Sequence, residues 1–175
     1  MLLEELQVDS PRAAQDLHEL AALLHAVVHA GASVSFVLPF SLEDAEAFWR
    51  RKVLPGVGGR ERFLLIARVD DEIVGTVQLI VDTPPNQPHR ADVAKLLVHP
   101  KVRRQGIARA LMSAIEDVAR REKRTLLTLD TRTGDSAEQL YRSMGYTEVG
   151  VIPDYAVEPN GQRRDATTIF YRELI

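Results

Sequence analysis

Between Asp92 and Val118 the apolar positions change their spacing, and the change predicts a strand, a turn and a helix. The run Val93 to Val98 is short, apolar and rich in branched side chains, which suits a buried strand; beyond Gly106, Ile107, Leu111, Ile115 and Val118 recur at helical spacing. Pro100 ends the strand pattern. Upstream, Leu2 to Val8 reads as a first strand, and Ser10 with Pro11 reads as an N-cap with proline at the first helical position. Leu17, Leu20, Leu24 and Val27 then share one helix face, and Gly31 stops the helix. Ser41, with Asp44 in the capping-box position, opens a second helix through Lys52, anchored by Phe48 and Trp49 and broken by Pro55 to Gly59. Phe63 to Val69 and Ile73 to Val81 predict a hairpin about Asp70-Asp71-Glu72. Downstream, Thr125 to Asp130 is another strand, and Ala137 to Met144 a helix that Gly145 ends. Tyr146 to Ile152 and Ala166 to Tyr171 are the last strands, joined through Pro159-Asn160-Gly161. Strand, helix, strand from Val93 to Asp130 requires a crossover and so a parallel pair. The expectation is an α/β fold of the α+β kind: one mixed, mostly antiparallel sheet with one parallel pair and flanking helices.

Composition narrows this picture. A chain of 175 residues, 45% of them hydrophobic, supports one domain over residues 1–175 and is too short for two ordinary ones. The absence of cysteine excludes disulfides and thiolate chemistry and fits a reducing compartment. With no signal-type or membrane-length apolar run, a soluble, cytoplasmic protein with no membrane partner is expected. The net charge of -3 is unevenly spread: residues 1–87 carry 7 basic and 13 acidic side chains, residues 88–175 carry 15 and 12. Overall acidity argues against a nucleic-acid partner, whereas the local cluster Arg103, Arg104 and Arg109 suits one small anion. His25 and His29 have the spacing of a zinc pair, but no glutamate motif accompanies them, so no metal is expected.

The first amides of a helix lack internal acceptors and sit at the positive end of its dipole. A turn holding a glycine and two arginines at that point is suited to a pyrophosphate. It is neither a Walker loop nor a Gly-x-Gly-x-x-Gly fingerprint. Arg103-x-x-Gly106-x-Ala108, following Val98-His99-Pro100, resembles the cofactor motif of the GNAT acetyltransferases. The resemblance implies that family's fold, with a splayed parallel strand pair, and acetyl-coenzyme A as cosubstrate. It also implies that Arg103, Arg104, Gln105, Gly106, Ile107, Ala108 and Arg109 hold the pyrophosphate, while the strand residues Leu96, Leu97 and Val98 bond the pantetheine arm.

Acetyl transfer to an amine needs a neutral nucleophile, stabilisation of the developing oxyanion and a proton for the departing thiolate. Ala137-x-x-x-Tyr141-x-x-x-Gly145-Tyr146 resembles the family's helix whose tyrosine is the general acid, which assigns that role to Tyr141. Where the family often has asparagine seven residues earlier, this chain has Gly134. For the base, the two-residue period puts Asp92 on the face of Leu96 and Val98, and Asp130 ends the other parallel strand. Structural roles compete: Asp130 as a cap of the following turn, Asp92 as a partner of Arg90 or Lys95. His99 is a further candidate base.

Gly31-Ala32-Ser33-Val34, Leu129-Asp130-Thr131, Pro153-x-Tyr155, Pro159-Asn160-Gly161 and Ala166-Thr167-x-Ile169 resemble the tabtoxin resistance acetyltransferases. That resemblance implies a small-molecule amine acceptor flanked by Ser33, Phe36 and Tyr155, and a homodimer. Two alternatives stay open: a peptide or protein N-acetyltransferase, and a non-catalytic acyl-coenzyme A sensor that would keep the Gly106 turn and lack turnover.

Overall fold

The computed structural model of the chain describes residues 1–174. Seven strands form one sheet in the order β1-β2-β3-β4-β5-β7-β6: β1 Leu2–Glu5, β2 Arg62–Val69, β3 Glu72–Ile80, β4 Arg90–Val98, β5 Leu126–Arg132, β6 Thr147–Val157 and β7 Arg164–Glu173. All neighbours are antiparallel except β4 and β5, which α4 (Ile107–Arg121) connects as a crossover. The mixed sheet with one parallel pair is the architecture the hydrophobic pattern predicts.

Helices cover both faces of this sheet. On one side α4 packs Leu111, Met112 and Ile115 against Phe63, Leu65, Val77 and Leu79. On the other, α1 (Ala13–His29) and α2 (Leu42–Phe48) bring Leu20, Leu24 and Trp49 onto Leu64 and Ile66. Both faces of β2 are therefore covered, which is why its sequence is an unbroken apolar run rather than an alternating one. Asp70 and Asp71 turn the β2–β3 hairpin at φ of 50° and 68°, a left-handed conformation that aspartate tolerates better than most residues.

Two helix boundaries differ from expectation. Ser10 does not cap α1: Ala13 donates to the Ser10 carbonyl at 3.0 Å, closing a turn, and the helix starts at Ala13 with Arg12 at its N-cap. Pro55 does not end the second helix. The Ser41–Asp44 capping box forms, but a π-helical turn over Trp49–Val53 carries the chain into α3 (Leu54–Gly58). Proline in a first turn loses no hydrogen bond, and the Trp49 indole donates to the Leu20 carbonyl at 2.9 Å, anchoring the segment to α1.

β4 determines where the site can be. Against β3, Ala94 faces Gln78 and Leu97 faces Thr76, so Lys95 and Leu96 together oppose one residue, with Lys95 at φ 51°. A bulge of this kind moves every later side chain to the other face. Ala91 and Val93 lie in the α4-side core, and past the bulge Leu96 and Val98 pack there while Leu97 enters the α1-side core. The even two-residue period fails at Lys95, and Asp92 does not share a face with Leu96 and Val98.

α1 is tied to the sheet electrostatically. Arg68 on β2, 5% exposed, donates to Glu4 at 2.6 Å, Asp16 at 2.6 Å and Glu19 at 3.0 Å. Removing one partner of a buried pair strands the other charge. Arg68→Met should therefore lower the unfolding free energy by about 3–5 kcal/mol in a urea titration; a loss under about 1 kcal/mol would show the cluster to be solvent-screened.

Candidate active site

β4 and β5 pair only over Arg90–Leu126, Ala91–Leu127 and Asp92–Thr128. Beyond that point they separate around a cleft of about 870 Å³, lined by β4 from Val93 to Val98, the turn into α4, Asp130, Tyr141, Ser33 to Ser35, Tyr155 and Thr167. Its inner wall is a strand edge whose amides and carbonyls have lost their sheet partner, so it can hydrogen-bond an extended ligand.

At one end stands the turn that the sequence marks as an anion site. A short 3-10 helix, Pro100–Val102, leads into Arg104 at φ 64° and Gly106 at φ 80°, after which α4 begins. The left-handed φ is what requires glycine at 106, since a Cβ there would meet nothing within 4 Å. The first amides of α4, at Ile107, Ala108 and Arg109, open onto this space. Arg103, Arg104, Gly106, Ile107, Ala108 and Arg109 line the cleft with Leu96, Leu97 and Val98; Gln105 is exposed and lies outside the lining. Arg109 also donates to Ser143 Oγ at 2.7 Å, bracing α4 against α5 (Ser136–Ser143). Free helix-start amides, flanking guanidiniums and an unpaired strand edge fit a nucleotide with a long polar arm.

The other end carries the titratable groups. The Tyr141 ring packs against Tyr146 and Phe170, with centroids 5.7 and 5.8 Å away, and the residue borders the cleft while only 5% exposed. Burial first, and the Asp130 charge second, push its hydroxyl well above the ordinary tyrosine range. Asp130 accepts from Thr167 Oγ1 at 2.9 Å. The adjacent Thr168 donates to Glu138 of α5 and meets Thr133 Oγ1 at 2.9 Å. Two neighbouring β7 threonines thus tie the carboxylate and the tyrosine's helix to one strand. Thr167 falls in the Ala166-Thr167-x-Ile169 motif, but the bonds these threonines make are not readable locally, because their partners lie about 30 or more residues away.

Three residues singled out in the sequence lie elsewhere. Asp92 is outside the cleft lining and is held by Arg90 and by the Thr128 hydroxyl, the pairing with Arg90 that the sequence offers as its structural role. His99 also lies outside the lining, its Nδ1 accepting from the Lys101 amide. Phe36 stacks between Phe40 and Phe48, at 4.5 and 5.0 Å, as part of the acceptor-side core; Ser33 and Tyr155 do line the cleft. His29 sits 2.9 Å from the Phe40 carbonyl, and among the described residues no cluster of three metal-ligating side chains is found. The bulge residue Lys95 reaches the cleft, which the sequence reading missed; a lysine within an apolar strand run was the available signal.

The pattern of the Acetyltransferase (GNAT) family matches residues 26–146. An uncharacterised N-acetyltransferase from the hisH-hisA intergenic region of Azospirillum brasilense is 35% identical over 120 residues, 67% of this chain and 68% of that protein. Among solved structures, a ribosomal-protein-alanine N-acetyltransferase of Brucella melitensis superposes with a TM-score of 0.78 at 22% identity, over 99% of this chain and 100% of that one. An acetyltransferase of Salmonella typhimurium, solved with its cofactor acetyl-CoA, gives 0.77 at 17% identity over 100% and 94%. The fold and cleft are those of an acyltransferase that works from a coenzyme A thioester. The chain belongs to the GNAT family of N-acetyltransferases.

Coenzyme binding at the Gly106 turn should raise the melting temperature, since a ligand held only by the native state shifts unfolding upward. Gly106→Glu forces a side chain into a left-handed position and adds a carboxylate at the anion site, so the shift should vanish. A folded variant with the full acetyl-CoA-induced shift would remove the turn from the binding site.

Proposed function

We propose that this chain transfers the acetyl group of acetyl-CoA directly to the primary amine of a small molecule, with Tyr141 as general acid and Asp130 as general base. The observation that carries the reading is that a buried tyrosine, its hydroxyl held above the ordinary range, and an exposed carboxylate both border the cleft where β4 and β5 part.

When bound, acetyl-CoA supplies an acetyl group activated as a thioester. Amides of Ile107, Ala108 and Arg109, with Arg103 and Arg104 beside them, would hold its pyrophosphate. The free edge from Leu96 to Val98 would align the pantetheine arm, and a strand amide there would stabilise negative charge developing on the carbonyl oxygen. Asp130 takes a proton from the acceptor ammonium, directly or through water, and Thr167 fixes its orientation. As the amine nitrogen bonds the thioester carbon and the C–S bond breaks, Tyr141 Oη would give its proton to the departing sulfur and recover one from the nitrogen, which loses its extra proton as the amide forms. The raised pKa of the hydroxyl keeps that proton in place through neutral and mildly alkaline pH.

A small acceptor is supported by the enclosure of this end: the Ser33–Ser35 loop and Tyr155 both border it. The same two segments carry the likeness to the tabtoxin resistance acetyltransferases. Arg132 steadies the first of them, donating to the Gly31 carbonyl at 3.3 Å and to Asp135 at 2.9 Å. Two copies of the chain associate, a reading supported by the apolar side chains that the edge strand β6 leaves exposed, Val149 at 66% and Val151 at 49% among them.

Tyr141→Phe keeps the packed ring and removes the donor, so kcat for acetylation of a responsive amine should fall on the order of 10²- to 10⁴-fold, with little change in the acetyl-CoA KM. Asp130→Asn should lose roughly 10²-fold in turnover and keep the coenzyme-induced melting shift. Thiol release across a panel of small amines and peptide N-termini measures both. Normal turnover in the phenylalanine variant would leave Tyr141 as a packing residue, and faster acetylation of peptides than of small amines would overturn the acceptor class.

A further inference from the structure

Two cations lie at the acceptor end of the cleft, and their surroundings differ. Arg132 is satisfied by Asp135 at 2.9 Å, Asp165 at 3.5 Å and the Gly31 carbonyl. Lys95 forms no ion pair among the described residues. Its ammonium bonds Ser35 Oγ at 3.0 Å and lies over the Phe36 and Phe48 rings at 5.9 and 5.7 Å. An ammonium has three donors, and aromatic faces stabilise its charge without accepting a conventional hydrogen bond. Donors therefore remain for a ligand.

The cost of this arrangement is concentrated at one residue. Lys95 combines a left-handed backbone, φ 51°, with a charge partly withdrawn from water, and burial lowers its pKa. The bulge itself needs no lysine, since Thr76 Oγ1 holds it by donating to the Lys95 carbonyl at 2.9 Å. The charged groups that act on the ammonium are Asp130, which lines the cleft and favours its charge, and Arg62 on β2, outside the lining, which opposes it. A cationic group and the base carboxylate thus share one end of the cleft, on different strands.

We infer that the acceptor is a zwitterion, an amino acid or close analogue whose carboxylate is bound by Lys95 Nζ and Ser35 Oγ while its amine is presented to Asp130. This assignment of substrate class rests on the acetyltransferase reading. An anion at Lys95 completes its hydrogen bonding and offsets its desolvation, whereas a neutral amide in the same position leaves the ammonium unpaired. Discrimination against an acceptor of equal size without the charge follows from that difference.

The test compares matched acceptors: alanine, β-alanine and 4-aminobutanoate, each against its carboxamide, with saturating acetyl-CoA. For the best-fitting pair the kcat/KM ratio of acid to amide in the unaltered protein should be roughly 10 to 100 times that in Lys95→Met, the range a charge-assisted hydrogen bond supplies. Because the ratio is compared between proteins, the differing amine basicities of acid and amide cancel. Ser35→Ala should lower it part-way. Lys95→Met should unfold at the same temperature as the parent or higher, because an unpaired, partly buried charge is removed. Calorimetric titration of the coenzyme A-saturated protein with each N-acetylated acid and its amide reads recognition without turnover. Acetylation of acids and amides in equal ratio by both proteins, with equal binding of the products, overturns the zwitterion assignment and leaves acetyl transfer standing. Lys95-dependent binding of the acids without acetylation of any amine keeps the anion site and overturns the acetyltransferase reading instead.

Discussion

Three residue pairs hold β4 to β5, and the cleft opens where they stop. A parallel pair inside a sheet ordinarily continues as long as both strands do, because each lost rung leaves an amide and a carbonyl without partners. Here the bulge at Lys95 redirects β4 three residues after the third pair, while β5 continues along β7 through Arg132. The free inner edge is stable only if water or a ligand satisfies it. A pantetheine arm, itself a chain of amides, is chemically matched to that edge. The cleft and the approach to the α4 N-terminus follow from this interruption.

The rest of the molecule holds the opening in a fixed shape. β2 and β3 are buried between α4 on one face and α1 with α2 on the other, so the strand that carries the bulge is backed by two packed cores. Arg68 ties α1 to the sheet through Glu4, Asp16 and Glu19, which positions the Ser33–Ser35 loop that follows α1. On the far side β7 sets Asp130 through Thr167 and α5 through Thr168 and Glu138. Tyr141 and Asp130, the proposed acid and base, are thereby referred to a single strand rather than to separate loops, which limits the relative drift that proton transfers over hydrogen-bond distances cannot tolerate.

How much of this was legible in the sequence depended on the range of the interactions. Ser41 and Asp44 lie three residues apart, and their capping box was readable; so were the hairpin around Asp70 and the glycine turn, whose conformations are set by adjacent residues. Tyr141 was legible through a resemblance carried by its own helix. Features fixed across the fold were not. Asp92 was placed on the wrong face because a bulge is set by the partner strand and resets the two-residue period. Pro55 read as a break until a π turn, stabilised by the Trp49 indole on the Leu20 carbonyl, carried the helix past it. Lys95 and Thr167 derive their importance from Ser35 and Asp130, which are distant in sequence.

The central claim is that the free β4 edge and the α4 N-terminus together bind the coenzyme. Amide hydrogen exchange with and without coenzyme A tests it most directly, because the amides of Leu96 and Val98 on the free edge and of residues 107–109 have no sheet or helix partner and exchange quickly unless a ligand takes them. New protection is expected at residues 96, 98 and 107–109, with the paired residues 90–92 unchanged. Protection confined to other strands, or coenzyme binding that leaves both segments exchanging as fast as in the free protein, would contradict it.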